Sequence, residues 1–239
     1  MTNMKKPKVA YIVYNDVYRD SRVLKTADSA ARAGADVRLI AFGGPLSHYP
    51  AGTSYRASGA EIVRLSLFPD NVPVLSGVIA WRRRRLSEAA ARRQSVPAAP
   101  GGARKSSWLK RLRRRIEQGL GRFVIRVRAV DFRRRAARAL LDWKPDIVHA
   151  HDANTLEVAE TVHDRAGIPF VYDAHELWEM RNATRSERDR ARDRRMLDRV
   201  TSKMAGSVTV SPGIQRWMQE RYALAEMPTL VRNVPPRAE

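Results

Sequence analysis

PDIVHAHDANTLEVAETVHDRAGIPFVYDAHELW, residues 145–178, decides the fold. Asp146–Ala150 is a short apolar run with no polar face, as expected of a strand covered on both sides. Asn154–Ala166 carries apolar residues at helical spacing and stops at Gly167, and Pro169–Asp173 is a second apolar run of strand length. Strand, helix and strand within about thirty residues make a parallel crossover unit. Downstream the alternation continues with a charged helix over Ser186–Ala205, a strand over Ser207–Val210, a helix over Pro212–Tyr222 with proline in first position, and a last strand over Thr229–Arg232. Upstream, Val9–Tyr14 is a β-branched and aromatic strand, and Asp20 introduces a helix over Ser21–Ala33 that Gly34 closes. Asp36–Phe42 and Ala60–Leu67 follow as strands. The expectation is an α/β fold: a single Rossmann-like, doubly wound and mainly parallel sheet of about seven strands.

Composition narrows the function. The 239 residues are 44% hydrophobic, enough for a sizeable core, and contain no cysteine. That excludes disulfides, iron–sulfur clusters and thiolate zinc sites. No stretch approaches the roughly 20 apolar residues of a membrane span, and the apolar run after the basic N-terminus is too short for a signal peptide, so a cytoplasmic protein is expected. The formal charge is +20, and residues 81–138 hold 20 basic residues against three acidic ones. The basic character therefore belongs to one segment, expected as a largely helical insertion into a core made of 8–80 and 139–234, with 235–239 beginning an interdomain linker. Residues 95–107 read as a loop. Trp108–Trp143 reads as one long helix or two, with Leu109, Leu112, Ile116, Leu120, Phe123, Val127 and Val130 in an apolar stripe among arginines.

In open parallel sheets ligands bind beyond the carboxyl ends of the strands. The residues there are Asn15, Asp16, Tyr18, Arg19, Asp20 and Arg22 after the first strand, then His149, His151, Asp152 and Asn154. Asp173, His175 and Glu176 follow the next strand, Ser211 and Gly213 the one after, and Asn233 the last. Asp20, Asp152 and Ser211 also read as helix caps. His149 and His151 alternate onto one face, and with Asp173 and His175 they suggest a facial metal site. Histidines and carboxylates at strand ends are common without metal, and the site is read as metal-free. HExxH, the Walker loop and a GxGxxG after the first strand are all absent.

Three blocks resemble a known family: NDVYRDSRVLKTADSAARAGADVRLIAF, the stretch quoted first, and SVTVSPGIQRWMQERY followed by PTLVRNVP. In order and spacing, over residues 8–42 and 145–234, they are similar to the N-terminal domain of family 4 retaining glycosyltransferases of the GT-B fold. The resemblance implies transfer of a sugar from a nucleotide-sugar donor to a glycan, lipid-linked or small-molecule acceptor with retained configuration, with the nucleotide sugar as co-substrate and no other cofactor. It implies an acceptor-side domain that works against a donor-binding C-terminal domain, in cis or in trans, and no activity for the 239 residues alone.

Residue by residue, His175 matches the histidine that reaches toward the donor sugar in such enzymes, and is the one residue given a catalytic role. The loop from Asn15 to Arg22 matches a loop at the domain cleft, where Arg19 or Arg22 would approach a phosphate; it lacks the glycines frequent there. His149, His151 and Asp152 match an HxHD block with acceptor-side or structural roles. Asp16, Asp173, Glu176, Ser211 and Asn233 complete the expected substrate-binding edge. For residues 81–138, lying outside the blocks, two readings stand: an amphipathic helix on an anionic membrane surface, or a stripe packed on the sheet with solvated arginines. Nucleic-acid binding is disfavoured because no recognition motif accompanies the arginines. A binding or scaffold domain that has kept the fold without transfer is the alternative to an enzyme.

Overall fold

The computed structural model describes residues 5–77, 79, 80, 84, 88, 108–181, 186–232 and 234; for 108–118, 120 and 122 it describes the backbone alone. The strands are β1 (Lys8–Ile12), β2 (Asp36–Gly43), β3 (Gly52–Tyr55), β4 (Glu61–Ser66), β5 (Ile147–His151), β6 (Phe170–Ala174), β7 (Gly206–Thr209) and β8 (Thr229–Leu230). The helices between them are α1 (Ser21–Arg32), α2 (Trp108–Trp143), α3 (Leu156–Ala166), α4 (Glu187–Thr201) and α5 (Pro212–Tyr222). One eight-stranded sheet runs β3-β4-β2-β1-β5-β6-β7-β8. Every pair is parallel except β3 with β4. The strand order reverses direction between β1 and β5, the switch point at which such sheets open a crevice.

The fold is the one expected, with one strand more. β3 (GTSY) is short, largely exposed and antiparallel at the sheet edge. An edge strand facing solvent needs no apolar run, which is why its sequence carries no strand signal.

Local chemistry fixes the helix ends. The Asp20 carboxylate accepts from the Val23 amide at 3.3 Å and Ser211 Oγ from the Ile214 amide at 3.3 Å, so both cap as expected. Asp152 does not cap. It takes a positive φ of 62°, the chain makes one more turn, and Thr155 occupies the N-cap position of α3. Gly167, at φ 67°, closes α3 in the left-handed conformation that glycine adopts at least cost.

Two apolar cores flank the sheet. Under α1 lie Tyr11, Val13, Val23, Leu39 and Ile62. On the other face, Ile12, Ile40, Val148 and Phe170 pack against α2, α3 and α4 through Phe132, Leu140, Leu156, Val162 and Leu197. α2 is one continuous helix, and its contact with the core is made by Phe132, Ala136 and Leu140. Of the expected stripe, the side chains of Leu109, Leu112, Ile116 and Leu120 lie outside the described ones; of the rest Val127 is half-buried, while Phe123 at 63% and Val130 at 37% are exposed and do not form that face. Residues 132, 136 and 140 hold a different angular position on the helix from 123, 127 and 130.

Candidate functional site

Polar groups at the carboxyl ends of β5 and β6, joined by Arg22 from α1, converge on Asp173. β6 pairs in register with β5, setting His151 opposite Asp173, and β5 pairs with β1, setting Tyr11 opposite His149. Because side chains alternate along a strand, His149 and His151 share a face. Asp173 is almost fully buried, and its Oδ2 lies 3.2 Å from His149 Nε2, 3.2 Å from His151 Nδ1 and 3.4 Å from His175 Nε2. Arg22, reaching from the first turn of α1, closes a buried ion pair with both Asp173 oxygens and donates through Nη1 to the Val231 carbonyl at 3.2 Å. One carboxylate, through its partners, thus ties α1, β5, β6 and the segment after β8 together.

The electrostatics follow from this crowding. Burial opposes ionisation of Asp173, but hydrogen bonds from His149, His151 and His175 outweigh it and hold the carboxyl well below its ordinary range. Burial drives His151 down to about 4, so the imidazole is neutral. Its Nδ1 faces the carboxylate while its Nε2 is buried without a partner among the described residues. The tautomer that suits Asp173 carries the proton on Nδ1 and leaves Nε2 bare. For His175 burial again disfavours charge, yet the Asp173 hydrogen bond and the charge of Asp152, whose Oδ2 stands 3.8 Å from His175 Nδ1, raise its pKa above the ordinary imidazole value. Burial raises Asp152. His175 keeps part of its side chain open to solvent, whereas His151 has none.

Tyr11 completes the cluster. Its ring stacks on His149 at 5.1 Å and on His151 at 5.8 Å, and burial, reinforced by Asp173, pushes its hydroxyl up to about 12. It sits inside a strand and not after one, so a search of strand ends passes over it; its register opposite His149 is the signal. His149, His151 and Asp173 offer three ligand atoms within 4.8 Å of one another. Asp173 already engages Arg22 through both oxygens, and a guanidinium in contact with the only anionic ligand disfavours a cation there.

The remaining expected residues lie around this centre without joining it. Asn15 donates to Asp20 at 2.7 Å and accepts from the Val17 amide at 2.8 Å, shaping the loop after β1. Asp16 accepts from the amide and ring of His48, both at 2.8 Å; these contacts outweigh burial and lower its pKa. His48 stacks flat on Tyr18 at 3.9 Å, and Arg19 lies 5.4 Å from the same tyrosine ring. Glu176 pairs with Arg181 at 2.8 Å at the surface, and Ser211 caps α5. Asn233 lies outside the described residues.

Beside the cluster, across the β5–α3 loop, opens a cavity of about 420 Å³ between α2, α3 and α4. Tyr14 and Trp178 line it with Asn154, which follows Asp152 by two residues. Tyr14 and Trp178 were not singled out from sequence, since a lone aromatic near a strand end reads as core.

A doubly wound sheet with its polar groups gathered at the carboxyl edge of β1, β5 and β6 is the arrangement of a GT-B type glycosyltransferase domain. The sequence matches the model of Glycosyltransferase Family 4 over residues 80–233, well over half of the chain, and the protein belongs to that family. The match runs through the basic segment that the three resembling blocks leave out. No curated protein matches the chain. Among solved structures it is similar to sucrose-phosphate synthase from Thermosynechococcus elongatus, at 12% identity and a TM-score of 0.55 over 95% of this chain and 48% of that one. A shorter chain of the same synthase aligns at 11% identity and a TM-score of 0.51, over 94% of this chain and 87% of that one. At such identities the likeness is one of fold. The chain spans about half the length of the full synthase chain.

Proposed function

We infer that this chain is the acceptor-binding side of a retaining glycosyltransferase that uses a nucleotide-sugar donor held by a C-terminal GT-B domain, in cis or in trans. The observation that carries the reading is His175: a partly exposed imidazole at the carboxyl end of β6, oriented through Nε2 by a buried, ionised Asp173. In that role Nδ1–H or a water on it donates a hydrogen bond to a hydroxyl of the donor sugar as positive charge develops at the anomeric carbon. Asp152 on the other side stabilises the charged form of the ring. No base is assigned to the protein; the donor phosphate assists the acceptor hydroxyl. Arg22 supports the site from inside by fixing Asp173, and a phosphate-binding role near this loop falls to Arg19, which has no ion pair among the described residues.

Attachment to an anionic membrane surface through the basic segment is part of the proposal, supported by Phe123 and Ile125, which α2 exposes among its arginines. Among the described residues no helix is long and apolar enough to cross a membrane.

The test is sugar transfer from a panel of UDP- and GDP-sugars by this chain together with its donor-binding domain. His175→Ala is expected to lower kcat about 100-fold with little change in KM, the size of effect seen when one transition-state hydrogen bond is removed. Undiminished turnover in that variant would overturn the role of His175. Tight nucleotide-sugar binding by these 239 residues alone would overturn the division of labour.

A further inference from the structure

The cavity between α2, α3 and α4 carries polar groups that the protein does not use. Asn154 Oδ1 is buried and has no hydrogen-bond partner among the described residues. The Tyr14 hydroxyl has none either, its ring being held edge-on against Phe42 at 5.3 Å and Phe132 at 4.9 Å. Arg126 from α2 and Arg192 from α4 also line it, and neither has an ion-pair partner among the described residues. The carboxylates lining the same space are engaged: Glu157 by Arg133, Asp193 by the Trp178 indole N–H at 3.0 Å, and Asp189 by Ser186. The carboxylates are therefore taken up by protein groups, while two guanidinium groups, an acceptor oxygen and a phenol remain open to an occupant. Leaving a buried amide oxygen unpaired costs roughly 1–3 kcal/mol, so the arrangement is explained if a ligand donates to it.

We propose that this cavity binds the acceptor, and that the acceptor is a hydroxylated ring bearing a negatively charged group. Its volume of about 420 Å³ suits one or two sugar rings. Tyr14 and Trp178 line the cavity and supply the apolar surface on which the C–H faces of a sugar lie. Asn154 Oδ1 accepts from a ring hydroxyl and the Tyr14 hydroxyl pairs with another. Arg126 and Arg192 hold the charge, in the forked geometry by which guanidinium recognises phosphate or carboxylate. The position joins the cavity to the reaction. Asn154 and Trp178 lie within three residues of Asp152 and His175, on the same two loops, which sets the cavity beside the Asp173 cluster. This assignment rests on the acceptor-side reading above and names the acceptor's class.

The experiment is calorimetric titration of this chain with three soluble ligands, a neutral hexose, its phosphate and its uronic acid, and with vesicles of phosphatidylinositol in phosphatidylcholine against phosphatidylcholine alone. Binding of the charged sugars at least tenfold tighter than the neutral one is expected, with at least a tenfold loss in Arg126→Glu/Arg192→Glu, whose two exposed side chains leave folding intact. Asn154→Ala and Tyr14→Phe should weaken all the sugars several-fold, and unchanged thermal midpoints verify that the variants fold. Preference for soluble charged sugars identifies a free acceptor, and preference for phosphatidylinositol vesicles a headgroup; either supports the proposal. Equal affinity for neutral and charged rings, no binding to any of them, or binding indifferent to the two arginines overturns it. Failure here is separable from failure of the transferase reading. If His175→Ala lowers kcat as expected while the arginine pair is dispensable, only the acceptor assignment falls; if the arginines control binding and no nucleotide sugar is used, only the transferase reading does.

Discussion

The Asp173 cluster and the α2–α4 cavity lie a few residues apart on the same two loops, yet they treat polar atoms in opposite ways. Around Asp173 a single carboxylate serves one guanidinium and three imidazoles, and among the described residues His151 Nε2 is the one fully buried atom of these groups without a partner. Around the cavity two arginines, an amide oxygen and a phenol have no partner among the described residues. A saturated cluster holds strands in place and aims His175, the most exposed of its three imidazoles. An unsaturated one is built for something else to fill. Residue type alone does not separate the two, since both are made of arginine, aspartate and aromatic rings; partnership does.

Removing the hub is the strongest way to break the comparison. Asp173→Ala strips the counter-charge from Arg22, which is 8% exposed, and the acceptor from three histidines. A buried charge left without its partner costs about 3–5 kcal/mol. Urea denaturation should therefore show a loss of that size, with transfer abolished as a consequence. A loss under about 1 kcal/mol would mean that the cluster is not what holds these strand ends.

Next in size is the contrast between the two ends of α2. Phe132 is wholly buried against Tyr14 and Phe42, and Phe132→Ala should cost about 3–4 kcal/mol. It should also widen the cavity that Phe132 helps to line, weakening any occupant. A mild loss of stability would move the anchor of α2 elsewhere.

These two ends also show what the sequence could and could not say. The strands β1, β2, β5 and β6 were legible because a strand covered on both faces must be apolar throughout. β3 was not, because GTSY at an exposed edge answers only to hydrogen bonding. For α2, periodicity found a helix and an apolar stripe but chose the angular sector of Phe123 and Val130, since leucines and valines outnumber the phenylalanine and alanines that make the contact. Small residues such as Ala136 let a helix approach a sheet closely, and their contribution is invisible to a hydrophobicity count. At the site, spacing brought His149, His151, Asp152, Asp173 and His175 to one edge. The roles of Arg22 and Tyr11 needed the register of three strands and the direction of α1, which no local pattern encodes.

A pH titration sharpens the comparison within the cluster itself. Below an unfolded-state pKa near 6.5 the unfolded chain protonates His151 while the folded one resists to about 4, so the unfolded state binds more protons and stability falls as pH drops through that window. His175 has the opposite sign. Its pKa is raised on folding, so its contribution is complete below about pH 6.5 and is lost as pH rises through the folded value. The carboxylates held low, Asp173 among them, lose their contributions only below about pH 4, and Asp152, raised by burial, gains stability on protonation, so a loss between pH 6.5 and 5 falls to His151. The expected loss from pH 6.5 to 5 is about 2 kcal/mol, read as a shift in urea midpoint. His151→Gln should flatten this limb and leave the alkaline one in place. A limb unchanged by the substitution would place the proton uptake on another group.

The smallest expected effect is the most telling about the basic segment. Phe123, 63% exposed, contributes little to folding, and Phe123→Ser should alter stability by less than about 0.5 kcal/mol. If α2 lies on a membrane surface, the same change removes an inserted ring, and binding to anionic vesicles should weaken several-fold at high salt, where the arginines are screened and apolar insertion alone persists. Sedimentation with vesicles at low and at high salt separates the two contributions. A variant that is as stable as the parent and binds vesicles equally at both salts would leave the exposed sector of α2 with no part in either folding or membrane attachment. One that is destabilised by 2 kcal/mol or more would return it to the core.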